Sequence, residues 1–239
     1  ADVFEPGSVF KPFVAAAAVE EGLVSPETII DCENGRFRIG RTTISDEHPE
    51  KLISVSEVIK VSSNIGAAKL AFSLGAERTL NYLKDFGFSR PTNLGLSGEA
   101  AGTMRNHKRI KPIELATTSY GHGVNATALQ LAAATAALGN DGVRMEPYLV
   151  AEIQDPNGSP IRVFEPTIDR RVVSKETARD TLEMMVTVTE KGGTGTRAAI
   201  PGYRVAGKTG TAWKHMEGGY SSTERIGSFI GIVPADNPR

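Results

Sequence analysis

The stretch Gly202-Tyr203-Arg204-Val205-Ala206-Gly207-Lys208-Thr209-Gly210-Thr211-Ala212-Trp213-Lys214 decides the fold. Its first eight residues satisfy G-x-x-x-x-G-K-[ST], the pattern of a loop whose backbone cradles phosphate. Such a loop needs a buried strand before it and a helix whose N-terminus opens on the Lys-Thr pair. Neither is present. The preceding run, Gly192-Gly193-Thr194-Gly195-Thr196-Arg197-Ala198-Ala199-Ile200-Pro201, is loop chemistry, and Gly210, Gly218 and Gly219 would break a helix soon after Thr209. Tyr203 to Ala206 alternates like a strand and carries side chains too large to let backbone approach a phosphate. Gly193-x-Gly195 is weaker still as a dinucleotide fingerprint, since no strand precedes it. Lys208 is therefore expected on an edge strand, with Thr209, Gly210 and Thr211 beside it.

Two distant motifs give that strand a purpose. Ser8-Val9-Phe10-Lys11 is S-x-x-K and Ser62-Ser63-Asn64 is S-x-N. Residues i and i+3 share a helix face, so the Lys11 amine can reach the Ser8 hydroxyl. Ser8 stands at the helix start, where the positive dipole end favours a developing anion. Pro12 lacks an N–H, so the helix must begin or deform at Ser8. Phe10, Phe13 and the alanines supply apolar surroundings that lower the Lys11 pKa and free a neutral amine as base. Ser62 can bridge Lys11 and Lys208 and relay a proton to a leaving group, while Asn64 can fix a substrate amide. Lys208, Thr209, Gly210 and Thr211 can hold a substrate carboxylate, and the backbone N–H groups of Ser8 and Thr211 form the expected oxyanion hole. Taken singly, each motif reads as easily as a surface lysine, a helix cap or an edge-strand lysine. Their order and local context join them.

Composition agrees with an enzyme of ordinary globular kind. The chain has 239 residues, 40% hydrophobic and 23% charged, with a formal net charge of −1, enough to bury a substantial core and without the basic footprint of a nucleic-acid binder. The apolar run from Phe13 to Val19 is too short to span a bilayer. Cys32 is the only cysteine and the four histidines are scattered, which gives no disulfide and no metal spacing. Helical periodicity covers Phe10–Ala18, Val55–Ala71 with a break at Ser62-Ser63-Asn64, Glu77–Phe86, Thr127–Leu138 and Lys175–Glu190. Strands are expected at Arg36–Ile39 and Thr42–Ile44 around Gly40, at Tyr148–Gln154 and Ile161–Phe164 around a turn, at Arg204–Ala206 and at Ser228–Val233. Helices come first and strands late, the order of an α+β fold.

The ordered set S-x-x-K, S-x-N, K-T-G is that of penicillin-binding proteins and serine β-lactamases. With Glu5-Pro6-Gly7-Ser8-Val9-Phe10-Lys11-Pro12, Tyr120-Gly121-His122-Gly123, Thr127 to Ala132, Asn140-Asp141-Gly142 and Ala206 to Ala212, nearly the whole chain resembles the transpeptidase domain of class B penicillin-binding proteins of the division (septal) type. The resemblance implies a penicillin-binding, serine β-lactamase-like fold, a helical subdomain packed on an antiparallel sheet with the site between. It implies peptidoglycan D,D-transpeptidation: Ser8 attacks a D-Ala-D-Ala stem peptide, with no cofactor and no metal, and β-lactam inhibitors acylate the same serine. It also implies a septal glycosyltransferase and other division proteins as partners, and a place on the periplasmic face of the inner membrane. Because Ser8 lies so near the start, 1–239 reads as one domain, a fragment truncated at both ends, without an N-terminal membrane anchor and some sheet strands. A serine β-lactamase is the nearest rival, since Glu77-Arg78-Thr79-Leu80-Asn81 spells E-x-x-L-N, the stretch that carries a deacylating glutamate. Glu77 follows Ser62 too closely for that role and is expected on a helix surface. A non-catalytic β-lactam sensor would keep Ser8 and Lys11 but lack the Tyr120 to Asn140 features.

Overall fold

The residue pattern after Ser8 builds the central post of the protein. In the computed structural model, which describes residues 2–95, 97–216 and 219–238, a 3₁₀ turn, Gly7–Phe10, runs straight into helix α1 (Lys11–Glu20). Every residue of α1 from Lys11 to Ala18 is buried, as expected of a helix that is apolar all round. Small alanines let neighbouring helices approach closely, and the larger rings fill the gaps. Phe10 meets Phe88 in a tilted contact with centroids 4.4 Å apart, and Phe13 meets Phe86 at 5.0 Å. Burial of each such ring contributes on the order of 2–3 kcal/mol.

The next segment holds short strands: β1 (Ile29–Asp31), β2 (Arg36–Ile39), β3 (Thr42–Ser45) and β4 (Leu52–Ser54). β2 and β3 form an antiparallel hairpin, while β1 reaches across it to pair with β4. Helix α2 (Val55–Lys60) then stops, and α3 (Asn64–Leu74) starts after a break at residues 61–63. Ser63 caps α3 by accepting the Gly66 N–H at 2.9 Å. Helix α4 (Ala76–Asp85) turns Thr79, Leu80 and Leu83 inward.

The segment between the helices expected at Glu77–Phe86 and Thr127–Leu138 contains a further helix, α5 (Pro112–Ser119). Its apolar residues are few, so periodicity is weak; its signals are Pro112 in the first turn and Glu114, whose carboxylate accepts the Lys111 N–H. Helix α6 (Ala128–Gly139) opens with a capping box between Thr127 and Gln130. The strands β5 (Val143–Met145), β6 (Glu152–Gln154), β7 (Pro160–Val163) and β8 (Ile168–Arg171) make an extension in which β5 pairs with β8 and β6 with β7. Helix α7 (Lys175–Thr189) leads to the long antiparallel pair β9 (Ala206–Met216) and β10 (Gly219–Ile232).

Helix α7 is the wall between layers, packing on α1 and α2 from one side and on β9 from the other. The strand expected at Arg204–Ala206 begins only at its last residue and runs on to Met216. Tyr203 is exposed, and the Arg204 guanidinium turns to Glu183 and Asp236; the apparent alternation there reflects the buried pair Val205 and Ala206 alone. β9 continues as a strand through Lys208 and Thr209, so no helix opens on them and no phosphate loop exists.

Candidate active site

Three elements that are far apart in sequence meet at the N-terminal end of α1. The 3₁₀ turn bearing Ser8 packs against β9. A Cβ added to Gly7 would stand 2.7 Å from the Thr211 carbonyl oxygen, so the two backbones lie against each other and bring the Ser8 and Thr211 segments side by side. From behind, Gly7 donates its N–H to the Gly121 carbonyl at 3.1 Å, and Glu5 accepts the Gly123 N–H at 2.7 Å. Ser228 on β10 donates its hydroxyl to the Pro6 carbonyl at 3.2 Å. The turn is held from every side except that of the half-buried Ser8 side chain.

Lys11 and Lys208 are almost wholly buried, at 1% and 0% exposure. Between them stands Ser62. Its hydroxyl oxygen is 3.0 Å from the Lys11 amine and 2.8 Å from the Lys208 amine. Lys11 also donates to the Ser62 carbonyl at 2.5 Å, and Lys208 to the Thr209 carbonyl at 3.1 Å. Among the described residues the Lys11 amine makes its hydrogen bonds to Ser62, and none to the Ser8 hydroxyl that i, i+3 spacing places on the same face. A buried ammonium needs several acceptors, and the Ser62 carbonyl and hydroxyl supply two together.

Burial pushes the Lys208 amine down to about 7. Lys11 is held well below the ordinary lysine range, chiefly by burial and next by the charge of Lys208, while Asp46 and Glu47 act in the opposite sense. The Lys208 amine thereby has a neutral form available near neutral pH, and the Lys11 amine is moved in the same direction.

Ser62 takes a left-handed conformation, φ +65°, which costs of order 1–3 kcal/mol for a residue with a Cβ. Asn64 is partly exposed, with its side-chain NH₂ donating to the Ser45 carbonyl at 3.0 Å. Thr209 shares a hydrogen bond of 2.7 Å with the Thr194 hydroxyl, so the glycine-rich loop after α7 forms one wall of a cavity of about 440 Å³ that also borders Thr209 and Phe229. Gly210 is buried and Thr211 is exposed. Glu77 lies exposed on α4, which bonds Glu21 at the far end of α1 through Arg78 and Tyr82. Ten residues of helix separate that end from Lys11, about 15 Å. Glu77 is remote from Ser8.

The model of the penicillin-binding protein transpeptidase domain matches residues 1–239. This chain belongs to that family. The transpeptidase domain is 37% identical over 238 residues to the probable peptidoglycan D,D-transpeptidase PenA of Neisseria meningitidis, covering 100% of this chain and 39% of that protein. It therefore spans about two fifths of the length of such curated relatives. Among solved structures it matches the transpeptidase domain of Burkholderia pseudomallei penicillin-binding protein 3 with a TM-score of 0.90 at 38% identity, covering 100% of this chain and 70% of that one. It matches penicillin-binding protein 3 of Mycobacterium tuberculosis, complexed with aztreonam, with a TM-score of 0.91 at 35% identity, covering 100% and 55%. The expected α+β fold of helices with antiparallel strands is thus that of the family.

Two residues that border this cluster carry no motif in the sequence. Asp46 lies in the loop after β3, and Thr194 in the glycine-rich run after α7. The signal for Thr194 was its company of glycines, which lets the loop lie flat: a Cβ on Gly193 would meet the Val188 carbonyl at 2.2 Å. A wider concavity, about 1390 Å³, lies between α6 and β10, lined by residues such as Leu129, Ala132, Ala136 and Ile232, and touches none of the three motifs. Among the described residues no three His, Cys, Asp or Glu side chains converge as metal ligands, and no helix is long and apolar enough to cross a membrane.

Proposed function

We propose that this domain is a peptidoglycan D,D-transpeptidase working through an acyl-serine. The observation that carries the reading is the Ser62 hydroxyl bridging two buried lysine amines beside the turn of Ser8. Neutral Lys11 takes the Ser8 proton as Oγ attacks the penultimate D-Ala carbonyl. The backbone N–H groups of Ser8 and Thr211 receive the oxyanion. The C–N bond breaks as a proton passes through Ser62 to the departing D-Ala amine. An amine of a neighbouring stem peptide then attacks the ester carbon, gives up a proton to the lysine–serine relay, and Ser8 leaves and is reprotonated. Lys208, Thr209, Gly210 and Thr211 hold the terminal carboxylate, and Asn64 the peptide amide. A β-lactam presents the same carbonyl and carboxylate and acylates Ser8.

By family, the setting is the periplasmic face of the bacterial inner membrane, with 1–239 as the transpeptidase domain of a longer anchored protein. A septal glycosyltransferase and other division proteins are its expected partners there. Labelling with a fluorescent penicillin followed by peptide mass spectrometry tests the assignment. The adduct is expected on Ser8 alone; an adduct on Ser62 or Ser63, or none, would overturn it.

A further inference from the structure

The turn that carries Ser62, Ser63 and Asn64 is clamped by a residue from outside it. Asp46 follows the last residue of β3 directly, and its carboxylate takes three hydrogen bonds from that turn. Oδ2 accepts the Ser63 hydroxyl at 2.6 Å, and Oδ1 accepts the backbone N–H groups of Asn64 at 2.5 Å and Ile65 at 3.1 Å. The first N–H groups of a helix have no partner within it. A carboxylate there satisfies two of them and meets the positive end of the α3 dipole. Asp46 is itself fixed, donating its N–H to the Gly35 carbonyl at 3.1 Å, and it is partly shielded from solvent.

This clamp acts on the residue just before it. A left-handed serine persists only where its surroundings over-determine it. Lys11 holds Ser62 from one side through its carbonyl and hydroxyl, and Asp46 holds it from the other by pinning Ser63 and Asn64. Without the clamp, Ser62 is free to relax out of the left-handed region and withdraw its hydroxyl from between the amines. The same carboxylate also bears on charge. The groups facing Lys11 are Lys208 on β9 and the acids Asp46 and Glu47 after β3. Of these acids, Glu47 is exposed and Asp46 is partly buried, so Asp46 is the one least screened by water.

We propose that Asp46 is a positioning residue of the site, holding Ser62 between the two lysines and supplying the negative charge that faces Lys11. The proposal rests on the acyl-transfer reading for its kinetic consequences but not for its electrostatic one. Asp46→Asn keeps an acceptor for the two N–H groups and removes the charge and the second strong acceptor. Acylation of Ser8 by fluorescent penicillin is expected to slow by on the order of 10²-fold, the cost of an ångström-scale misplacement. Because a carboxylate favours the protonated amine, its loss lowers the Lys11 pKa further, and the rising limb of acylation rate against pH moves to lower pH. Asp46→Glu keeps the charge, so it slows acylation while leaving that limb in place.

The measurement is made on the whole chain, with the folded fraction of each variant fixed by circular dichroism. The Lys11 side chain is also titrated by NMR with ¹³Cε-labelled lysine. A lower Lys11 midpoint in Asp46→Asn, retained near wild type in Asp46→Glu, supports the proposal. An unchanged midpoint, or a rate loss no larger than the loss of folded protein, means that Asp46 only caps a helix and overturns it. If wild type fails to label on Ser8 while the NMR midpoint still moves, the acyl-transfer reading fails and the Asp46 assignment stands.

Discussion

Replacing Lys208 by methionine should make the protein more stable and inactive, and the size of the gain should depend on pH. Lys208 is fully buried, and burial takes its amine from 10.5 to about 7. In the unfolded chain the amine titrates near 10.4, so between pH 7 and 10 the unfolded state binds more protons and stability rises with pH. The penalty is fully present below the folded pKa of about 7 and disappears as pH rises through the unfolded value. The interval between 10.5 and about 7, at about 1.4 kcal/mol per unit, makes it roughly 5 kcal/mol. Methionine keeps the apolar stem without the amine. It leaves Ser62 and Thr209 each short of one donor, about 1 kcal/mol apiece, so a net gain of about 3 kcal/mol is expected at pH 7. The advantage should fall by about 1.4 kcal/mol per pH unit towards pH 9. Lys11 adds to the gain, since the neighbouring cation that lowers its pKa is gone. The raised pKa values of Tyr82, Tyr120 and Cys32 are common to both proteins and cancel in the difference. Urea unfolding at pH 7, 8 and 9 measures that difference directly. A difference that does not vary with pH, or a methionine variant less stable at pH 7, would refute the argument, because Lys208 would then carry its proton in the folded protein. The cost fits a site that sets stability aside for a neutral amine.

Other expectations concern the back of the site and the fate of the adduct. Gly121 has φ +80°, and a Cβ there would lie 2.1 Å from the Gly7 carbonyl oxygen; Gly121→Ala should destabilise the fold by about 2–4 kcal/mol and lower Ser8 labelling even in the folded fraction. Urea unfolding and labelling of the same samples check both, and full labelling would mean that the Gly7 turn does not depend on this contact. Glu77→Ala should leave the lifetime of a penicillin adduct unchanged over hours, because Glu77 is exposed on α4, far along α1 from Ser8. Loss of adduct mass within seconds, slowed strongly by this substitution, would identify a hydrolase instead.

What the sequence alone determined is what short-range chemistry encodes. The apolar run after Ser8 reads as a helix because it has nowhere to turn a polar face. The hairpin at 36–45 follows from alternation around Gly40, and the break before α3 from the polar run Ser62-Ser63-Asn64 inside a helical period. The Ala-rich period from Thr127 to Leu138 marks a helix, and the three motifs declare their chemistry by order and type. Other features depended on the fold. The Lys208 bond to Ser62 joins residues 146 positions apart, and neither local pattern contains the other. Strand β1 is three residues long and finds β4 across an intervening hairpin, a pairing too short and too distant for periodicity to register. The lowered pKa values of Lys11 and Lys208 come from burial, which no lysine announces in sequence. Asp46, through three hydrogen bonds, and Thr194, through one, act when loops fold back on the site, and a loop's residues carry no sign of where its backbone will lie. Local propensity names the parts of this site, and the free energy of burying α1 and α7 together with β9 brings them within hydrogen-bond reach.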